Sequence, residues 1–277
     1  LHAQPGEALP DFVARMAASH DVAWVIAPES DGLLERLATR TGAVAGASRW
    51  LGCDAAAIAV AAHKRLCLRL LDAHGIATPL QVAPPSAPAW VVKPADGAGC
   101  VATRRHATLA SARADLDARQ AAGASATLEP WVDGVPISAS LHCGVDAQGA
   151  PRIELLAVNR QRIVADADGW LHDRGVAVAA LPRDDDTARR IETLAQRVGA
   201  ALPGLRGFVG IDLVLPPDGE PVLIELNPRT TCAYVGLSAA LGRNIAGLLL
   251  ADRLACHRRA GHRLAGPTSP QEAAHAG

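Results

Sequence analysis

Lysine is nearly missing from this chain. Lysine and arginine together number 27 in 277 residues, and only Lys64 and Lys93 are lysine, which leaves 25 arginines. A composition tilted this far makes arginine the default cation. The two remaining lysines are therefore candidates for positions that need a compact ammonium on a thin stem, a point charge that slips between anionic oxygens where a planar guanidinium does not fit; survival of two lysines by chance is the plain alternative. A charge excess is missing too. The formal net charge is −1, so no basic field points to nucleic acid. No apolar run approaches the ~18 residues of a membrane span, and Ile245 to Leu250 is far too short. There is no basic segment followed by an apolar one at the start.

The metal and nucleotide motifs with the simplest spacing are also lacking. The six cysteines, Cys53, Cys67, Cys100, Cys143, Cys232 and Cys256, form no C-x-x-C pair, and the histidines show neither H-E-x-x-H nor zinc spacing. Free thiols in a reducing cytoplasm are the expectation. No G-x-x-x-x-G-K-[ST] loop, no G-x-G-x-x-G and no internal repeat occurs.

Periodicity then gives the expected elements. Asp21 to Pro28 reads as a buried strand, Asp31 to Arg40 as helical, and Asp54 to His74 as helix stopping at Gly75. The proline-dense stretch from Pro79 to Pro88 reads as a linker. Trp90 to Lys93 is a strand, and Asp96-Gly97-Ala98-Gly99 leads into a second strand from Cys100 to Thr103, which makes a hairpin rather than the strand-loop-helix of a dinucleotide fold. Thr108 to Ala122 is helical; Ala126 to Trp131, Ile137 to Val145 and Ile153 to Val164 alternate as strands. Asp184 to Ala201 is an amphipathic helix with acids in its first turn. Gly207 to Leu215 and Pro221 to Asn227 form a hairpin about Pro217-Asp218-Gly219. Asn244 to His257 is the last helix, with a mobile tail over 261–277.

The hairpin GFVGIDLVLPPDGEPVLIELNPR is the most chemical segment. Strict alternation puts Ile211, Leu213, Leu215, Val222, Ile224 and Leu226 on one apolar face and Asp212, Val214, Leu223, Glu225 and Asn227 on the other. Asp212 then lies beside Glu225 or one residue from it, with Asn227 as the next neighbour of Glu225 on that face. Side-by-side carboxylates repel unless a cation sits between them, and two acids with an amide oxygen suit magnesium. A solvated strand face is the alternative, and Val214 and Leu223 argue against it. Arg229 follows directly and can stabilise developing negative charge. The Gly97/Gly99 loop can lay backbone N–H groups over phosphates, although a tight turn explains G-x-G equally; Lys93 three residues upstream favours the first. Glu129-Pro130-Trp131-Val132 ends a strand that can pass along an adenine edge, or simply end.

Lysine at a helix end, lysine before a glycine hairpin, E-x-x-V at a strand end, then D…E-x-N: this order resembles the ATP-grasp superfamily over roughly Trp24 to Leu250. The segment HKRLCLRLLDAHGIATP is similar to the family's entry to its central domain, with His63 where an acid often precedes the first lysine. Within the superfamily, IAPESDGLLERL, VNRQRI and NPRTTCAYVGL are similar to the tyramine–glutamate ligase group and its bacterial relatives.

The resemblance implies an α/β ATP-grasp fold. An N-terminal, partly Rossmann-like domain would span 1–78, a small α+β lobe with the glycine flap 79–130, and a large lobe with the metal hairpin 131–260, with ATP between the lobes. Lys64 and Lys93 would contact ATP phosphates, Gly97 and Gly99 would belong to the flap, and Glu129 and Val132 would hold the adenine. Cys100 stands where the flap usually ends in a further glycine. Pro136 stands near the usual acidic ribose ligand, which leaves Asp133 as a substitute. Asp212, Glu225 and Asn227 would bind one or two magnesium ions, or manganese. Lys64 and Arg229 would serve catalysis; Asn159, Arg160 and Arg162 would lie near the substrate or form an ordinary polar strand face. The implied activity is a carboxylate–amine ligase acting through an acyl phosphate, with glutamate and a tyrosine- or tyramine-like amine as substrates in a furan-type one-carbon-carrier pathway; a homodimer is a separate expectation, which the sequence itself does not fix. An ATP-grasp small-molecule kinase and a non-catalytic nucleotide binder are the alternatives. A start at Leu1, with few residues before His20, raises the expectation that the N-terminus is incomplete.

Overall fold

The structure is a computed structural model describing residues 2–46, 49–83, 86–146, 148–217 and 219–264. Helices α1 (Leu9–Ala18) and α2 (Leu33–Ala45) pack on each other, and α3 (Ala55–Ala62) and α4 (Lys64–Ala73) follow. The expected single helix from Asp54 to His74 is thus two. His63 takes an extended backbone, and its ring nitrogen accepts from the Leu66 N–H, so it caps α4 instead of continuing α3. Lys64 is left as the first residue of a new helix. The expected buried strand at Asp21 to Pro28 makes only a single parallel bridge, Ala23 to Trp50, and Ile26 is exposed. Without a ladder of partners the apolar run stays an extended segment.

Two antiparallel sheets follow. A three-stranded sheet has the order β2 (Arg104–His106), β1 (Trp90–Pro94), β3 (Ala126–Pro130). Its Trp90 and Val92 pack with Ala112 of α5 (Leu109–Ala121), which leaves Val91, Lys93 and Glu129 on the opposite face by alternation. The residues expected as a strand at Cys100 to Thr103 are turns, with Cys100 (φ 59°) and Ala102 (φ 50°) left-handed, and β2 starts only at Arg104. Cys100 therefore adopts the backbone that a glycine would supply there.

The larger sheet runs β6 (Leu171–Leu181), β5 (Pro151–Ala165), β4 (Val135–Val145), β7 (Gly207–Leu215), β8 (Val222–Asn227). Strand β6 has no counterpart in the sequence expectations. One face of the sheet carries Leu141, Leu155, Val209, Ile211, Leu213, Leu223 and Leu226 into a core shared with α2, α3, α4 and α6 (Asp186–Ala201). At one end of the other face, Leu156, Phe208, Leu237, Ile245 and Leu249 join α7 (Leu237–Leu241) and α8 (Ile245–Leu264) to the sheet. Residues 265–277, most of the expected tail, lie outside the described residues, as does Asp218 of the β7–β8 turn.

The β7–β8 register brings Asp212 directly opposite Glu225, the first of the two placements the sequence allows. Beyond that pair the register shifts: Leu213 pairs with Leu223 and Val214 with Val222, so Ile224 is a bulge. The bulge corrects the expected faces. Leu223 turns into the core, fully buried, while Ile224 lines a cavity on the acidic face. The Leu223 N–H donates to Ala77 O (2.9 Å), which holds the strand beyond the bulge.

Helix α6 packs so closely on β5 that a Cβ at Gly199 would lie 2.5 Å from Ile153 Cγ1. Ile153 is itself buried in the core, so it cannot turn out into solvent. Gly199→Val should therefore cost about 2 kcal/mol through overpacking, exceeding the gain in helix propensity; urea unfolding measures it.

Candidate functional site

A cavity of about 420 Å³ opens between the two sheets. Its walls bring together residues far apart in sequence: Lys64 from the start of α4, Lys93 from β1, Glu129 from β3, Asp212 from β7 and Glu225 from β8. Gly97, Val132 and Asp133 also line it.

Both lysines are buried. Lys64 Nζ sits 2.8 Å from Glu225 Oε1 and donates to Gly97 O at 2.8 Å. One ammonium thus ties the acidic hairpin to the glycine loop. The Lys64 backbone N–H also donates to Ala95 O (3.0 Å), so the break at His63 fixes helix and loop together. Lys93 Nζ lies 2.8 Å from Glu129 Oε2, and Glu129 Oε1 is buried with no partner. Burial would lower the Lys93 pKa, but Glu129, Glu225 and Asp212 together hold it above its ordinary value.

Asp212 is the acid in excess. Lys64 and Lys93 supply two positive charges against three from Glu129, Asp212 and Glu225. Burial first, and Glu225 second, raise the Asp212 pKa from 3.8 to about 7, although Asn227 and Gln161 donate to it at 3.0 and 2.9 Å. This arrangement suits a cation. Among the described residues no group of three or more His, Cys, Asp or Glu side chains could hold a metal, and the hairpin offers two carboxylates plus an amide. That donor set fits magnesium, which takes one or two carboxylates and completes its shell with water and phosphate oxygens.

Several expected residues take other places. Asn159 is fully buried; its amide donates to Ser138 Oγ (3.3 Å) and Ser140 Oγ (3.1 Å), and its oxygen accepts from Ala179 N–H (3.1 Å), so it ties β4, β5 and β6 together. Arg160 and Arg162 are exposed and do not line the cavity; Gln161 between them does. Arg229 does not line it either. Its Nε donates to Glu29 Oε2 (2.8 Å), and a terminal nitrogen donates to Asn227 Oδ1 (3.2 Å). Asp133 Oδ1 accepts from the Trp131 indole N–H at 2.6 Å.

Gln161 and Glu29 were missed by sequence reasoning. Gln161 sits on the strand two removed from β7, and only the sheet order reveals it. Glu29 belongs to the loop before α2 and is 3% exposed. That loop also reaches the glycine turn, where the Asp31 N–H donates to Asp96 Oδ2 (2.8 Å).

Two outcomes are expected. Glu29→Ala strands Arg229 without its buried counter-charge and should cost about 3 kcal/mol in a denaturant melt. In metal-free protein, the raised Asp212 pKa makes the folded state hold a proton that the unfolded state has released. Stability should therefore fall from about pH 4 to about pH 7, by at most about 1.4 kcal/mol per pH unit, and level off above. Asp212→Asn should remove that slope, and thermal melts across the range measure it.

The comparisons with known proteins bear on the fold. Residues 61–233 match the model of an ATP-grasp domain, and residues 1–58 match that of a pre ATP-grasp 3 domain. No curated protein matches. Among solved structures, an ATP-grasp superfamily protein from Archaeoglobus fulgidus superposes with TM-score 0.62 at 24% identity, over 86% of this chain and 67% of that one. D-alanine–D-alanine ligase from Bacillus anthracis gives 0.61 at 16% identity, over 92% and 97%. The biotin carboxylase domain of the Hydrogenobacter thermophilus 2-oxoglutarate carboxylase, in complex with MgADP, gives 0.65 at 13% identity, over 88% of this chain and 56% of that one. The glycine loop, the two buried lysines and the paired carboxylates thus stand on a framework shared with these structures, and the chain belongs to the ATP-grasp domain family.

Proposed function

We propose that this protein is an ATP- and magnesium-dependent carboxylate–amine ligase that forms an amide through an acyl phosphate. The observation that carries the reading is the Asp212–Glu225 pair with Lys64 bridging Glu225 to the glycine loop, at the mouth of a cavity large enough for a nucleotide. The Bacillus anthracis relative is itself a ligase by name, and the Hydrogenobacter domain binds MgADP.

In this reading the adenine lies against Glu129 and Val132. Glu129 Oε1, buried and unpartnered, can accept a proton donor from the ring, while Asp133 stands near the ribose. Lys64 and Lys93 reach the phosphates, and Gly97 and Gly99 fold over them. Magnesium, held by Asp212, Glu225 and Asn227, would supply charge neutralisation at the phosphate oxygens; manganese has the same oxygen preference.

The protein's share of the chemistry is positioning and electrostatics. A carboxylate oxygen of the acyl donor attacks the γ-phosphorus, the bond to the ADP oxygen breaks, and an acyl phosphate forms. Lys64 stabilises the charge carried across during that transfer. The amine nitrogen then attacks the acyl carbon, inorganic phosphate departs and the amine gives up its proton, leaving an amide. Arg229, braced by Glu29 and Asn227, would move from that brace to meet the acyl phosphate, and the exposed Arg160 and Arg162 would meet the incoming substrates; Asn159 would act only through the strands it ties. The sequence likeness to the tyramine–glutamate ligase group supports glutamate as acyl donor, a tyrosine- or tyramine-like amine as acceptor, and a place in furan-type cofactor assembly. The protein would work in the cytoplasm as a homodimer.

The test is a phosphate-release screen with MgATP and paired amino acids and amines, followed by product mass. ADP formed only when both an acid and an amine are present, with a product lighter than their sum by one water, is the expected result. Phosphorylation of a hydroxyl without amide would make the protein a kinase. Glu225→Gln should lower turnover by about 100-fold, and unchanged turnover would remove the metal site from the reading.

A further inference from the structure

The β5–β6 hairpin does not end at its own sheet. Its tip, 166–170, reaches across the cavity to the three-stranded sheet and pairs with the edge strand β2. The Arg105 N–H donates to Gly169 O (2.7 Å), the Leu171 N–H donates to Thr103 O (2.9 Å), and Arg104 forms a bridge with Trp170. Side chains reinforce the junction. Trp170 lies beneath two guanidinium groups, those of Arg104 (5.1 Å) and Arg119 (5.7 Å). Arg104 Nε also donates to Asp168 O (2.8 Å), and Arg119 donates to Ala102 O (2.6 Å) in the turn that follows the glycine loop.

The contact tolerates nothing larger than glycine at its centre. Gly169 has φ 86°, and a Cβ there would lie 2.3 Å from Arg105 O. Each lobe therefore fits the other at backbone distance. Leu171 and Thr103, joined by one of these bonds, both line the cavity, so the junction is part of its wall.

We infer that Gly169 and Trp170 are positioning residues for the nucleotide site: by docking the hairpin tip on β2 they hold the turn 100–103, and with it the glycine loop, closed over bound nucleotide. The inference rests on ATP binding between the two sheets. Neither residue needs to touch the nucleotide. Arg119 grips the turn at Ala102, Trp170 fixes Arg119 from below, and Asp115 holds Arg119 from the side at 2.9 Å. Two cation–π contacts and two backbone bonds act together, so loss of the tryptophan removes both cation–π contacts while leaving the cavity's charged residues in place. Nucleotide release then requires the tip to leave β2, and the junction sets the release rate.

The probe is the fluorescent nucleotide mant-ADP with magnesium, and the measurement is its dissociation rate by stopped flow in the full chain. Trp170→Ala should speed dissociation at least tenfold, with a much smaller change in association rate. Trp170→Phe, which keeps an aromatic face for both arginines, should restore most of the wild-type rate. Gly169→Ala should match Trp170→Ala by a different route, since it breaks the backbone contact. Brief trypsin digestion reports the junction itself: undocking exposes the Arg104-Arg105 bond, which should be cut faster in Trp170→Ala and Gly169→Ala. If that bond becomes susceptible while mant-ADP dissociates at the wild-type rate, the positioning role is overturned. If neither cleavage nor dissociation changes, the tip does not control the loop and the inference is equally overturned. Failure of the wild-type protein to bind mant-ADP at all would instead overturn the nucleotide reading on which it rests.

Discussion

Asp212 and Glu225 face each other across one hairpin, and that repulsion organises everything around the cavity. Like charges directly opposed on a sheet destabilise it, and burial makes each charge costlier. The chain answers with its only two lysines, both buried, and with amide donors from Gln161 and Asn227. The answer is incomplete by one charge, and Asp212 holds its proton to about 7. A site built for stability would have replaced one acid with an amide. Keeping both fits the divalent cation proposed for the site, whose charge would relieve the strain.

The lysines also show why an arginine would not serve. Lys64 places one ammonium between Glu225 Oε1 and Gly97 O, each at 2.8 Å. A guanidinium is planar and broad, and its donors point along fixed directions. Lys64 reaches this point because His63 breaks the helix and caps the next one, so the lysine leaves the first turn of α4 instead of a continuous rod. The departure from an acid at position 63 thus has a local physical role: an imidazole nitrogen accepts the N–H that a carboxylate would otherwise take.

What the sequence revealed and what it concealed follow from the range of the interactions concerned. The Asp212–Glu225 pairing was legible because a hairpin's register is set locally, by a turn and by alternation. The faces beyond it were not, because the bulge at Ile224 depends on Leu223 bonding to Ala77, nearly 150 residues earlier in the chain. Strand β6 escaped because LHDRGVAVAAL mixes charges, glycine and alanine, and an edge strand of weak intrinsic preference forms only when its neighbour is present. The run from Asp21 to Pro28 misled in the opposite sense: it has strand composition but only one bridge to Trp50. Gln161 lay hidden between Arg160 and Arg162, two charged residues that attracted attention yet project into solvent. Glu29 was invisible because its partner, Arg229, is 200 residues away.

The glycine loop is the element on which these long-range contacts converge. On one side the loop before α2 holds it, through the Asp31 N–H on Asp96; from beneath, Lys64 takes Gly97 O; on the far side Arg119 takes Ala102 O. Between those ties the chain turns through Gly97, Gly99 and Cys100, all with positive φ. A loop fixed at both ends and left-handed in the middle has its backbone freedom concentrated at those central residues, while its anchors limit how far it can open. The same Glu29–Asp31 loop that holds the turn also braces Arg229 against Asn227. In the proposed reading, rearrangement of the glycine loop over a nucleotide would be coupled through this one short segment to the arginine beside Asp212 and Glu225, and the N-terminal helices would contribute to the site through that segment.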